Sequence, residues 1–253
     1  MNDQGMGLKV AQDIVRIPTG IDGLDNNLHG GLPQGSITLV SGTPGTGKTI
    51  VCFQYIYIGL QLGEKCMFLA SDERVENLLR QAKELGFDFQ SYIDQGQLTF
   101  KFLELEHGNV HKEIEEEIRN GNYQRVVLDS LTPVSEMPVW IVNKGNEIIP
   151  SQENFTNTSY PLGSVEATRI HVRRLMSILS NNMTTTLVTS EIPEGARSLS
   201  RDSVSEFLAD GILLLDLDTT MDRRKLTVRK MRGTRHSLKP HDMQINFGGI
   251  QFL

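Results

Sequence analysis

The octapeptide Gly42-Thr43-Pro44-Gly45-Thr46-Gly47-Lys48-Thr49 constrains this chain more than any other stretch. It fits the pattern GxxxxGK[ST]. An apolar, strand-like run precedes it at 36–40, and helical character follows from 49 to 62, the context in which such a loop cradles phosphates. Its glycines let backbone N–H groups turn inward around a β-phosphate, and the helix N-terminus adds a favourable dipole. The Lys48 ammonium is suited to neutralise β- and γ-phosphate oxygens, and the Thr49 hydroxyl to bind a magnesium ion. The expected ligands are therefore ATP and Mg²⁺. The expected cradle is Gly42, Thr43, Pro44, Gly45, Thr46, Gly47, Lys48, Thr49 and Ile50.

Strand-like and helix-like segments alternate on both sides of this loop. Apolar strands are expected at 66–70, 97–103, 125–129 and 185–189, and helices at 75–85, 111–120 and 165–180. That rhythm predicts an α/β fold with a mostly parallel central sheet and helices on both faces. The stretches 211–217, 225–230 and 244–253 read as C-terminal antiparallel edge strands. Residues 1–15 read as a flexible arm. The segment 131–163, rich in Pro, Asn, Ser and Thr and holding the only Trp, reads as a loop or insertion. No internal repeat is visible, so 16–253 is expected to be one domain.

The chain has 253 residues, of which 38% are hydrophobic and 22% charged, enough for one sizeable core. The formal net charge is −6, so any nucleic-acid role must rest on a local basic patch. Cys52 and Cys66 form no metal or disulfide pattern and are expected as buried thiols. No membrane span and no leader-like segment is seen, which points to a cytoplasmic protein without a membrane role.

Three acids stand where chemistry needs them. Asp129 ends an apolar strand and, with Thr49, makes a plausible Mg²⁺ site completed by water and phosphate. Asp72 and Glu73 follow the strand at 66–70, and strand C-terminal ends face the ligand in sheets of this kind. A carboxylate there can orient the attacking water and accept its proton. The longer Glu73 is preferred for that role over Asp72. His107 and His111 lie four residues apart without a third ligand and are expected to be exposed.

The stretch 223–236 is intensely basic. Strand alternation groups Arg224, Leu226 and Val228 on one face and continues to Lys230 and Arg232. Three readings compete: a solvated edge, a nucleic-acid surface, or cations that reach a neighbouring subunit's γ-phosphate. The third is favoured, because nothing after the phosphate loop obviously supplies a γ-phosphate cation within the chain.

Taken together, Thr19-Gly-Ile-Asp-Gly-Leu-Asp25, Gly30-Gly-Leu-Pro33, the octapeptide, Asp72-Glu73, Val127-Leu-Asp-Ser130, Thr189-Ser-Glu191 and Arg229-Lys-Met-Arg-Gly-Thr-Arg-His236 resemble a KaiC-type domain of the RecA superfamily. The likeness runs from about residue 16 to the end, 131–163 excepted. It implies a RecA-like P-loop core and a homo-oligomeric ring, expected to be a hexamer, with ATP between subunits. Lys230 and Arg232 would match the family's Lys-x-Arg finger acting in trans. Met231, Thr234 and His236 would lie at the nucleotide, and Arg224 would match a basic position just upstream. Asp72 stands where the family has a Glu, which moves the base role more firmly onto Glu73. Glu206-Phe207 stands where an autokinase half would carry Ser-Thr, so no autophosphorylation is expected there. The resemblance implies a slow, Mg-dependent ATPase of regulatory character. The alternative is a DNA-binding relative of recombinase paralogs, resting on the polar loop 191–205 with Arg197 and Arg201.

Overall fold

A computed structural model describes residues 13–105, 110–137, 139–142, 147–150, 165–180 and 184–253. In chain order the elements are β1 (Arg16–Ile17), α1 (Asp22–Asn27), β2 (Leu32–Pro33), β3 (Ile37–Gly42), α2 (Lys48–Gln61), β4 (Cys66–Ala70), α3 (Val75–Glu84), α4 (Gln90–Asp94), β5 (Leu98–Phe102), α5 (Val110–Gly121) and β6 (Arg125–Asp129). There follow α6 (Leu131–Glu136), β7 (Val139–Val142), β8 (Glu147–Pro150), α7 (Val165–Ser180), β9 (Thr185–Glu191), α8 (Ser205–Leu208), β10 (Gly211–Asp218), β11 (Arg223–Met231), β12 (His241–Asn246) and β13 (Gly249–Phe252).

Nine strands form one sheet in the order β13-β12-β11-β10-β3-β9-β6-β4-β5. From β10 to β5 every neighbour is parallel, and β11, β12 and β13 extend that edge antiparallel. β3, β4 and β6 are buried along their whole length, as continuous apolar strands covered on both faces must be. One face packs α2 and the Phe53, Phe68, Phe87 and Phe89 cluster. The other packs Ile114 and Ile118 of α5 and Val172, Leu175 and Leu179 of α7. The expected fold is therefore present, with helices on both faces.

The charge at the start of β6 is the exception inside this core. Arg125 is fully buried; its guanidinium pairs with Glu64, donates to the carbonyls of Pro18 and Tyr55, and lies over the Tyr55 ring. It thereby ties the approach to the first helix onto α2. A buried guanidinium is tolerated only when it is paired and hydrogen-bonded in this way.

Some local expectations are corrected. The segment 131–163 is not simply a loop: it opens with α6, whose Ser130 N-cap accepts from the Thr132 N–H, and continues into the β7–β8 hairpin. Pro133 sits in the first turn of α6, where its missing N–H costs nothing. Residues 143–146 and 151–163 lie outside the described residues, as do 1–12 of the expected arm and His107. The stretch 244–253 splits into a hairpin, β12 and β13, turning at Phe247-Gly248. His111 is buried rather than exposed, its ring edge-on to His171 with centroids 4.5 Å apart. Cys52 and Cys66 are free and buried as expected. Among the described residues no helix is long and apolar enough to cross a membrane.

Candidate nucleotide site

The phosphate loop joins β3 to α2 at the C-terminal edge of the sheet. Gly47, at φ 101°, is the N-cap of α2, and Gly45 turns at φ 79°. These left-handed positions suit glycine. Gly42 is required for a different reason: a Cβ there would come within 2.6 Å of the Leu215 carbonyl and 2.7 Å of the Thr46 hydroxyl. No side chain caps α2 and no acid occupies its first turn, so its leading N–H groups and dipole are not offset locally.

Lys48 Nζ donates to the Gly42 and Thr43 carbonyls at 3.0 and 3.1 Å. Burial lowers its pKa; the nearby carboxylates of Glu191, Asp129 and Asp72 act in the opposite sense. Thr49 Oγ1 donates to Asp129 Oδ2 at 2.8 Å, and the Thr189 hydroxyl donates to Asp129 Oδ1. Burial raises the Asp129 pKa, while those two hydroxyl donors pull it down. Hydroxyl and carboxylate oxygens are hard ligands that fit Mg²⁺. Among the described residues no group of three or more His, Cys, Asp or Glu could hold a metal ion. A cation at Thr49 and Asp129 would therefore draw its remaining ligands from phosphate and water.

An open cleft of about 450 Å³ lies over the loop. Pro44, Gly45, Gly47, Lys48, Thr49 and Ile50 line its floor, and Asp72, Glu73, Asp129, Ser130 and Glu191 line one wall. Leu78, Gln81, Ile245 and Arg224 complete it. The two adjacent acids are held differently. Asp72 accepts from Ser130 Oγ at 2.6 Å, whereas Glu73 accepts from Gln81 Nε2 at 2.7 and 2.9 Å.

The basic strand is divided. Its pairing with β10 shifts register between Ile212 and Leu213, which face Lys230 and Val228, so Arg229 is an extra residue. Arg224, Leu226 and Val228 keep one face, and Arg224 Nε donates to the Gly45 carbonyl at 3.3 Å beside the cleft. Past the bulge Met231 rejoins the buried face with Val228, and Lys230 and Arg232 turn to the other. The grouping expected from simple alternation is corrected here. Lys230 Nζ donates to the Ala209 carbonyl at 2.6 Å, and Arg232 bonds the Phe207 carbonyl at 3.2 Å and Asp210 at 3.0 Å. Neither lines the cleft of its own chain. The Met231 side chain is core. Thr234 Oγ1 accepts from Arg16 at 2.6 Å, and the Thr234 carbonyl lies 3.0 Å from His236 Nδ1, so both belong to the loop that follows the bulge.

Gln81, Glu191 and Ile245 were not expected as cleft residues. Glu191 carried a usable signal, an acid at the C-terminal end of a strand next to β3. Gln81 and Ile245 carried none, since only the packing of α3 and of the C-terminal hairpin brings them there.

A glycine loop between a buried parallel strand and an uncapped helix, with a Thr–Asp pair beside its lysine, defines a P-loop nucleotide-binding site on a RecA-like α/β core. The chain belongs to the KaiC ATPase family, whose model matches residues 17–140 and 156–253. It is similar to a UPF0273 protein of Pyrococcus furiosus, 31% identical over 239 residues, covering 93% of this chain and 92% of that one. The circadian clock oscillator protein KaiC of Thermosynechococcus vestitus is 31% identical over 240 residues, which is 93% of this chain and 44% of the relative. The chain thus spans under half of the clock protein. Among solved structures, a KaiC-like protein from Pyrococcus horikoshii superposes with a TM-score of 0.76 at 29% identity, covering 95% of this chain and 99% of that one.

Proposed function

We propose that this protein is a slow, Mg-dependent ATPase that works as a regulatory ring of identical subunits, a hexamer, with ATP bound between neighbours. One observation carries the trans arrangement: Lys230 and Arg232 sit beyond the Arg229 bulge on the Ala209 and Phe207 carbonyls and Asp210, away from the cleft of their own chain. A transferring γ-phosphoryl group needs such cations. A ring brings the finger of one subunit to the loop of the next.

In this reading Lys48 and the α2 N-terminus hold the β- and γ-phosphates. Thr49 and Asp129 hold Mg²⁺, which when bound neutralises charge developing on the phosphate oxygens. Glu73 accepts the proton of the attacking water, and Asp72, tied to Ser130, shapes the wall beside it. Arg224 steadies the loop, while Thr234 and His236 accompany the finger at the neighbour's nucleotide. Glu206 offers no hydroxyl for autophosphorylation; its carboxylate accepts from the Leu199 N–H and Ser200 Oγ instead.

The DNA-binding alternative draws less support. Of the two loop arginines, Arg201 already pairs with Glu136 at 2.7 Å.

Mixed assemblies test the ring. Arg232→Ala alone and Lys48→Ala alone should be inactive, the first while still binding ATP. In an equimolar mixture about a quarter of the interfaces would join an intact loop to an intact finger, and turnover should return in that proportion. A mixture as inactive as its parents would refute a finger in trans.

A further inference from the structure

The side chain proposed as the general base is not free. Glu73 lies just before the α3 N-cap, Arg74, which is extended at φ −64° and ψ 145°. The Glu73 carboxylate meets Gln81, eight residues on. One amide nitrogen spans both carboxylate oxygens, at 2.7 Å to Oε1 and 2.9 Å to Oε2. Leu78, one turn earlier on the same helix, is buried and lines the cleft with Gln81, which fixes the face that Gln81 presents.

Glu73 lines the cleft wall, yet both of its carboxylate oxygens are engaged by the Gln81 amide. Asp72, its neighbour, is pinned inward by Ser130. Of two consecutive acids, one is thus anchored at the cradle and the other is drawn along α3. A general base must bring an oxygen within hydrogen-bond reach of the water it deprotonates. For Glu73 that means leaving Gln81.

We propose that Gln81 is a positioning residue that parks Glu73 against α3 and so holds turnover down: hydrolysis requires the Glu73 carboxylate to exchange the Gln81 amide for the attacking water. This rests on the reading of Glu73 as the base. Gln81 acts through the population of Glu73 side chains free to swing in. A solvent-exposed hydrogen bond of this kind biases such an equilibrium about fivefold.

Two substitutions at Gln81 separate this from a merely structural role, because they push in opposite directions. Gln81→Leu removes the donor, and single-turnover hydrolysis of Mg-ATP should speed up about fivefold with KM unchanged. Gln81→Arg offers the carboxylate a charged, two-pronged donor, and the same rate should fall below wild type. Both variants at the wild-type rate, or both slower than wild type, would overturn the proposal. Glu73→Gln measured alongside tells the two readings apart. If it is inactive while the Gln81 variants match wild type, Glu73 is the base and the latch is wrong. If it hydrolyses like wild type, the base assignment fails and takes the latch with it.

Discussion

Thr49 donates its hydroxyl proton to Asp129 at 2.8 Å, although 80 positions of chain separate the two residues. The contact exists because β6 ends beside the phosphate loop, with β9 between β6 and β3. It pairs the first turn of α2 with the end of a strand two places away, and both side chains present hard oxygens to the same space. Asp129→Asn keeps the shape and removes the charge. The expected outcome is a loss of at least about tenfold in Mg²⁺-dependent ATP affinity. Affinity measured in excess EDTA should change little. Calorimetric titration with and without the metal checks it.

The same substitution should stabilise the empty protein. Burial raises the Asp129 pKa above its ordinary value, with the Thr189 and Thr49 hydroxyls offsetting part of that cost. Between the unfolded value, near 3.8, and the raised native value, the folded chain holds the extra proton. Stability therefore falls as pH rises through that window, and at neutral pH the buried charge is carried at a cost. Asn removes the cost while still meeting both hydroxyls. The thermal midpoint of Asp129→Asn without ligand at pH 7 should exceed that of wild type, and the gap should close as pH is lowered toward 4. A lower midpoint at pH 7 would contradict the assignment.

The buried pair His111–His171 gives the opposite sign. Burial drives the His111 pKa down to about 3, and the neighbouring His171 pushes it the same way. An unfolded chain takes up that proton near 6.5, so the stabilisation is complete above this pH and is lost as pH falls toward the native value. The loss attributable to His111 reaches about 3 kcal/mol by pH 4. His171, lowered mainly by burial, adds in the same direction. His111→Gln should flatten the acid limb of a urea-midpoint profile between pH 7 and 4. An unchanged slope would place the acid sensitivity elsewhere.

Much of this architecture was legible in the chain because it is written in local patterns. The run Arg125–Asp129 and the helix Val165–Ser180 follow from apolar spacing and flanking punctuation alone. The loop octapeptide carries its own chemistry. What escaped reading depends on non-local pairing. The bulge at Arg229 arises where β10 and β11 change register, and no residue type in 223–236 announces it. His111 looked exposed because its burial partner, His171, comes from a different helix. The α6 helix was hidden by the polar, Pro-containing composition around it, although Ser130 and Pro133 are ordinary helix-start residues. Gln81 escaped because its partner precedes its own helix, where periodicity makes no prediction.

The bulge yields a final test that separates two arginines eight residues apart. Arg224 lies on the near side and reaches the Gly45 carbonyl of its own chain, whereas Arg232 lies beyond the bulge against Asp210 and the α8 carbonyls. If both act at the nucleotide, Arg224 must act within its subunit and Arg232 on the next. Arg224→Ala should weaken ATP binding about tenfold, the loss of one charge-assisted contact. It should leave assembly intact. Mixed with Lys48→Ala, it should show no recovery of turnover: both lesions fall in the cleft of a single subunit, so no site in the mixture is whole. Arg232→Ala mixed with Lys48→Ala should recover, because the intact loop of one mutant meets the intact finger of the other. Assays at limiting ATP on the two mixtures, run in parallel at matched protein concentration, distinguish the cases. Recovery in the Arg224 mixture would show that its guanidinium also crosses the interface, and that the bulge does not divide the strand by function.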